Sequence, residues 1–165
     1  MKKLLVLSLA ASTALMASGY RIPEVSTDAV ALSAACVANA SGADAAYYNP
    51  AKMVYNDNAD LVDASLTYIH LTSINFKGSG ALTGVNIDSE KENFLVPSLH
   101  YTSPALANGM RWGLSIVSPA GLTKRWKSAP ANATSEEFTL ETVEVNPTIA
   151  MPINDRFSVA AGVRM

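Results

Sequence analysis

The residues of this chain able to do chemistry are few and scattered. Two histidines, His70 and His100, and a single cysteine, Cys36, could ligate a metal or carry a nucleophilic step. Two imidazoles cannot make a His-rich metal centre, and one thiol supports neither a disulfide nor a cysteine-based metal site. His70 lies in an alternating apolar run, where an interface or channel-lining place on a strand accounts for it. Hydrolysis by paired carboxylates needs two acids flanking one bond, and Asp63, Glu141 and Glu144 are too dispersed to nominate. The stretch from Gly78-Ser79-Gly80 to Gly84 has the glycines of a phosphate loop but lacks the Lys-Ser/Thr ending and the helix behind it. Lys124, Arg125, Trp126 and Lys127 form a basic cluster suited to a solvated loop or to attracting anionic lipid or fatty acid head groups. No nucleophile, base and orienting group can be assembled. The chain reads as a non-enzyme without cofactor or metal.

Nearly half of the 165 residues are apolar, but aromatics are few. A net charge of −2 gives nucleic acid no basic face to bind. Beyond the N-terminus no apolar run reaches the roughly 18–20 residues a membrane-spanning helix needs, which leaves strand-built membrane proteins open. The first residues have the layout of a cleaved export signal: Lys2 and Lys3, an apolar run from Leu4 to Met16, then Ala17-Ser18-Gly19 with small residues at the −3 and −1 positions. Residues 1–19 are therefore assigned to a signal peptide.

Residues 20–58 form a segment rich in alanine and poor in large side chains. Thr27 or Asp28 can cap a helix that Gly42 ends, a second helix is expected from Asp44 through Tyr48, and Asn49-Pro50 starts a third, with Asn as N-cap and Pro at the first helical position. Helices so short and small cannot build a core of their own. The segment must sit inside or against something larger.

From residue 59 the pattern is that of strands. Between Leu61 and Phe76 the even positions hold six apolar residues out of eight and the odd positions three, a period of two over an unusually long run. Further strands are predicted at Phe94–Thr102, which contains Pro97, at Arg111–Val117, at Glu137–Met151 and at Phe157–Met165. The apolar phase switches near Thr142, which predicts a bulge or a strand leaving the membrane. The connections run long, short, long, short (Lys77–Asn93, Ser103–Gly109, Ser118–Glu136, Pro152–Arg156), the rhythm of outer-membrane barrels with long outer loops and short periplasmic turns.

Taken in order, Ser18-Gly19-Tyr20-Arg21-Ile22-Pro23-Glu24, Val30-Ala31-Leu32-Ser33-Ala34-Ala35, Asp44-Ala45-Ala46-Tyr47-Tyr48-Asn49-Pro50-Ala51, Phe94-Leu95-Val96-Pro97-Ser98-Leu99, Ser118-Pro119-Ala120-Gly121-Leu122, Val145-Asn146-Pro147-Thr148-Ile149-Ala150 and Ala161-Gly162-Val163-Arg164 resemble the FadL-type outer-membrane transporters of long-chain fatty acids and other hydrophobic compounds. The resemblance runs through essentially the whole mature chain. It implies an all-β transmembrane barrel of fourteen antiparallel strands, monomeric when full length, with the N-terminal segment folded inside as a helical hatch. It also implies passive diffusion of an apolar ligand that leaves sideways, into outer-membrane lipid, where the third strand kinks. Asn49, Pro50 and Ala51 are then the hatch motif, and Tyr20, Arg21 and Ile22 lie near the inner ligand site. The strand Arg111–Val117, with Arg111, Trp112 and Gly113, carries the kink. Pro97 lacks a ladder N–H and can weaken pairing beside that strand, or else sit in a tolerated bulge.

About five strands fit in this chain, whereas closed barrels begin at eight, and Met165 falls in mid-strand. The expectation is a truncated barrel. An outer-membrane adhesion protein without transport, and a secreted lipid-binding protein or hydrolase, are the rival functions. Heat-modifiable gel migration separates barrel from soluble protein, and fatty acid uptake separates channel from adhesin.

Overall fold

The computed structural model describes residues 21–165; the signal-peptide assignment and Tyr20 lie outside them. Five long strands form one antiparallel meander: β1 (Leu61–Leu71), β4 (Glu92–Thr102), β5 (Arg111–Val117), β8 (Glu144–Asn154) and β9 (Phe157–Gly162), in the spatial order β1-β4-β5-β8-β9. Two hairpins stand off it, β2 (Asn75–Lys77) with β3 (Asn86–Asp88), and β6 (Gly121–Arg125) with β7 (Glu137–Glu141). The sheet is open, with β1 and β9 as its edges among the described residues. It is consistent with part of a β-barrel. No described helix is long and apolar enough to cross a membrane.

Two of the predicted strands prove to be two elements each. The alternation of 61–76 is interrupted after Leu71, and Asn75–Lys77 pairs with β3 inside the long connection. The run 137–151 breaks at the phase switch near Thr142: β7 pairs with β6 on one side of it and β8 with β5 on the other. A period-two pattern reports which face each residue occupies, not whether one ladder continues, so it runs across such breaks unseen.

The N-terminal segment is α1 (Thr27–Ala31), a 3-10 turn at Val37–Asn39, α2 (Ala45–Tyr48) and a 3-10 helix at Pro50–Tyr55. The N-cap of α1 is Ser26, whose hydroxyl accepts from the Ala29 N–H, one residue before the expected Thr27. The helix stops early because Ser33 and Ala34 take the left-handed conformation; an alanine-rich stretch this short does not sustain a helix unaided. Gly42, at φ +87°, makes the left-handed turn before α2.

Which face of the sheet is covered decides how the molecule must be read. One face carries Ser98, His100, Thr102, Arg111, Ser115, Asn146 and Thr148, all buried, and the N-terminal segment lies across it. The other face carries Val62, Leu66, Tyr68, Leu95, Leu99, Trp112, Ile149 and Met151, all exposed. A water-soluble protein buries the opposite set. The exposed apolar band is bounded at both ends by tyrosines whose hydroxyls reach polar partners: Tyr68 donates to Asn93 at 2.6 Å, and Tyr101 donates to Asp60 at 2.5 Å. Asn93 and Tyr101 stand about 26 Å apart along β4, on the scale of the ~25 Å apolar band of outer-membrane barrels with its aromatic girdles. His70 belongs to the upper rim of this face, its Nδ1 2.7 Å from Asn93 Oδ1.

Candidate functional site: a slit in the sheet wall and the segment behind it

Strand β5 is shorter than its neighbours, and the reason lies at its end. The ribbon of β5 and β8 pairs Val117 with Glu144, whereas its continuation pairs Gly121 with Glu141, a register one residue out of step. Between them Ser118 and Pro119 leave the ladder, and Ala120, accepting from the Thr142 N–H at 3.1 Å, already follows the new register. Ser118 Oγ donates to the Thr142 carbonyl at 2.6 Å, and the Pro119 carbonyl accepts from the Ile22 N–H at 2.7 Å. Strand β5 thus ends at Val117, while Arg111, Trp112 and Gly113 stand at its other end.

Past the break, β4 has no partner on this side. Ser98–Val117 is the last pair of β4 with β5, and contact resumes where the Glu90 N–H donates to the Arg125 carbonyl at 2.9 Å. Arg125 Nε lies 3.7 Å from Glu92 and 3.4 Å from Glu137, closing the upper end with charge. Between these two closures is a cavity of about 510 Å³, lined on one side by Phe94 to Leu99 and on the other by Val117, Leu122 and Leu140. Consecutive residues of a strand point to opposite faces, so a cavity touching all of 94–99 lies at the strand's edge. It is a slit through the wall.

Pro97 stands at the lower corner. The Ser103 N–H donates to the Trp112 carbonyl, and in an antiparallel ladder every second residue faces the same neighbour. Residues 101, 99 and 97 therefore present their main-chain groups to β5. The first rung beyond Val117 would join residue 97 to Ser118, and proline has no N–H to make it. In hydrocarbon an unpaired N–H costs several kcal/mol, so proline also leaves one donor fewer stranded along the slit. On its other side Pro97 is opposite Leu66, and its ring is on the exposed face.

Behind the slit lies the N-terminal end of the covering segment. Ile22 lines the cavity. The Arg21 guanidinium donates to both oxygens of Glu144, at 2.5 and 2.7 Å, and to the Tyr47 hydroxyl at 3.0 Å. Arg164 stacks on the Tyr47 ring, 4.9 Å from its centroid, and lies 3.5 Å from Glu144. Tyr48 accepts from the Val25 N–H and donates to the Pro23 carbonyl; burial pushes its hydroxyl up to about 12, so it remains a donor at any physiological pH.

The wall grips this segment by its main chain. His100, fully buried, places Nε2 2.8 Å from the Val25 carbonyl and Nδ1 2.9 Å from Ser115 Oγ. Thr102 donates to the Ala43 carbonyl, Ser158 to the Ala51 carbonyl, and Arg111 to the carbonyls of Asn56 and Asp57. Of the predicted motif, Asn49 does not cap with its side chain but donates to the Val37 carbonyl at 3.1 Å, Pro50 opens the 3-10 helix, and Ala51 offers its carbonyl to Ser158. Gly113 is bare because a Cβ there would lie 2.7 Å from both Ala46 Cβ and Met53 Sδ. Trp112 faces outward and stacks on Tyr101, with ring centroids 4.6 Å apart. Sequence reasoning missed His100, Thr102 and Ser158; polar residues at alternate strand positions were the available signal.

The basic cluster of the β6–β7 hairpin is matched by acids: besides the Arg125 pairs, Lys127 lies 3.3 Å from Glu90. Among the described residues no group of His, Cys, Asp and Glu is arranged to hold a metal.

Within the segment, Asp44 is buried and accepts from the Ser26 hydroxyl at 2.7 Å. Burial pushes its carboxyl up from the usual range, the Ser26 hydrogen bond only partly opposing this. A carboxyl raised in the folded state binds more protons there than in the unfolded chain, so stability is lost as pH rises from the unfolded value through the raised one. Above the unfolded value the group therefore costs the packed segment stability. Asp44→Asn, which keeps an acceptor for Ser26, is expected to leave the segment as stable or more so at pH 7, and to flatten its dependence on pH across that window. The rate at which a thiol reagent modifies the buried Cys36 measures this; a marked rise in the Asn variant at pH 7 contradicts it.

A search of curated proteins finds no match to this chain. The antiparallel sheet with its exposed apolar band is consistent with part of an outer-membrane β-barrel, and the model of the outer membrane protein transport family (OMPP1/FadL/TodX) matches residues 8–165: the chain belongs to that family.

Proposed function

We propose that this protein is a channel for passive uptake of long-chain fatty acids or other hydrophobic compounds across the outer membrane, and that the slit between β4 and the β5–β6 break is its lateral exit. The supporting observation is the slit itself: an apolar cavity at a strand edge, lined in part by Leu95 and Leu99 of the exposed apolar face. An apolar solute gains about 0.8 kcal/mol per buried CH₂ by staying out of water, so a path that passes from an apolar cavity directly into lipid is easier than one through an aqueous pore. Residues 20–58 serve as the hatch, with Asn49-Pro50-Ala51 at the start of its last helix. Arg21 and Ile22 lie beside the slit and belong to the inner ligand site, to which the family resemblance also assigns Tyr20. Arg125 at the slit's upper end is already paired with Glu92 and Glu137, so that end does not select an acidic head group over a neutral hydrocarbon.

Pro97→Val restores the missing N–H and keeps an apolar side chain on the exposed face. It is expected to extend the β4–β5 ladder upward and slow uptake of a labelled fatty acid several-fold, in cells whose own transporter is deleted, with barrel folding unchanged by heat-modifiable gel migration. Uptake at the parent rate in the folded variant would sink the lateral route at this edge. Absence of uptake by the parent protein itself would sink the transport reading.

A further inference from the structure

We propose that Arg111 is a positioning residue that nails the outgoing end of the N-terminal segment across the short-turn mouth of the barrel, so that this mouth stays shut while ligand leaves through the slit. The proposal rests on the hatch reading above and names the residue on which closure depends.

Arg111 opens β5 at the end of the sheet that carries the short turns, the far end from the slit, and is 3% exposed. A guanidinium so buried normally faces a carboxylate. Here none lies within ion-pair distance among the described residues. Its partners are carbonyls: Nη2 donates to Asn56 at 2.7 Å, and Nη1 donates to Asp57 at 2.8 Å and to Ser103 at 3.2 Å. Nε is buried without a partner. Asn56 is the C-cap of the Pro50–Tyr55 helix, the end that favours a cation, and Asp57 follows it, its carbonyl also accepting from the Ala59 N–H at 2.9 Å. Arg111 therefore closes that helix end and binds it to the β4–β5 turn in one step.

The same short stretch is tied down on every side. Asn58 Oδ1 accepts from the Ala105 N–H at 2.7 Å, and the Asn56 side chain brackets Gly42, donating to its carbonyl at 2.7 Å and accepting from its N–H at 3.4 Å. Residues 56–60 are thus the fixed end of the segment, and among the described residues Arg111 is the cation that holds their main chain, while Tyr101 donates to the Asp60 carboxylate. The fork geometry matters: two nitrogens reach two successive carbonyls at once, which the single ammonium of a lysine cannot reproduce.

The test uses the intact protein in the outer membrane of porin-poor cells, with entry of a small water-soluble β-lactam, hydrolysed in the periplasm, as the measure of leakage. Arg111→Met is expected to raise leakage about tenfold or more, the equilibrium equivalent of one lost charged hydrogen bond. Arg111→Lys should leak to an intermediate degree, and both should retain the heat-modifiable migration of a folded barrel. Asp57→Asn, which removes a carboxylate but keeps the carbonyl, should leak no more than the parent. Deleting residues 24–50 should leak at least as much as Arg111→Met. If the deletion leaks while both folded Arg111 variants stay tight, the anchoring role is overturned and the hatch reading survives. If the deletion itself does not leak, the hatch reading falls and takes this inference with it. Failure of both Arg111 variants to insert would assign the residue to barrel assembly and equally overturn the proposal, and leakage of Asp57→Asn would overturn capture through carbonyls.

Discussion

Leu66→Arg is expected to destabilise the folded, membrane-embedded protein by about 2–4 kcal/mol, the cost of placing an arginine on the lipid face near the middle of the bilayer. Leu66 is 64% exposed and pairs with Pro97 midway along the apolar band between the two tyrosine rims. In a water-soluble protein a residue so exposed accepts arginine with almost no penalty, within about 0.5 kcal/mol either way. Leu82→Arg supplies the contrast: Leu82 is also exposed, at 42%, but lies in the 3-10 turn of the β2–β3 hairpin, beyond the band. Reversible unfolding from lipid bilayers, compared between the two variants, measures the difference directly. Equal, near-zero effects would end the inside-out interpretation of the sheet, and with it the lateral route.

Gly113→Val carries the second large effect. A Cβ alone would approach Ala46 Cβ and Met53 Sδ to 2.7 Å and Thr148 Oγ1 to 2.9 Å, and valine adds two methyls to a site with no room for one. Overpacking of this kind costs about 1–3 kcal/mol when the surroundings yield. Here α2 and the Pro50–Tyr55 helix are what can yield, since the strands on either side of β5 are held by their ladders. The N-terminal segment is expected to lift from the wall while the barrel still forms. Cys36, the single cysteine and buried within that segment, reports the result: its modification by a thiol reagent should accelerate at least tenfold, about the equilibrium equivalent of 1.4 kcal/mol, with gel migration unaltered. An unchanged rate would mean that the segment does not depend on the contact at Gly113.

Much of this was legible in the residues. The alternation of 61–71 placed Val62, Leu66 and Tyr68 on one face, and the structure exposes them together. The rhythm of loop lengths matched the connections of the sheet, and the alanine-rich segment does lie against something larger. The ladder breaks were not legible, because side-chain alternation survives a one-residue register shift only as a change of phase. The switch near Thr142 was visible, but its counterpart at Ser118-Pro119 has no such signature, being marked by Pro119 alone. Nor could spacing show that Arg111 and the slit lie at opposite ends of β5, since a resemblance assigns a strand and not a position along it. The grip of His100, Thr102 and Ser158 on main-chain carbonyls was hidden for a different reason: its targets carry no side-chain signal at all.

The slit closes as it opens. The register that pairs Ser98 with Val117 is the one that sets Glu90 opposite Arg125, so the two lips part like a buttonhole and meet again with no stitch gained or lost. In a cylinder of strands, girth, tilt and stagger are bound together, and a gap that altered the count on one lip would have to be compensated around the whole circumference. Here the two lips keep count with each other, and the one-residue step falls instead in the ribbon that β5 and β6 form with β8 and β7. The lateral exit proposed above would therefore leave β4 in a single register with its neighbour below the slit and above it.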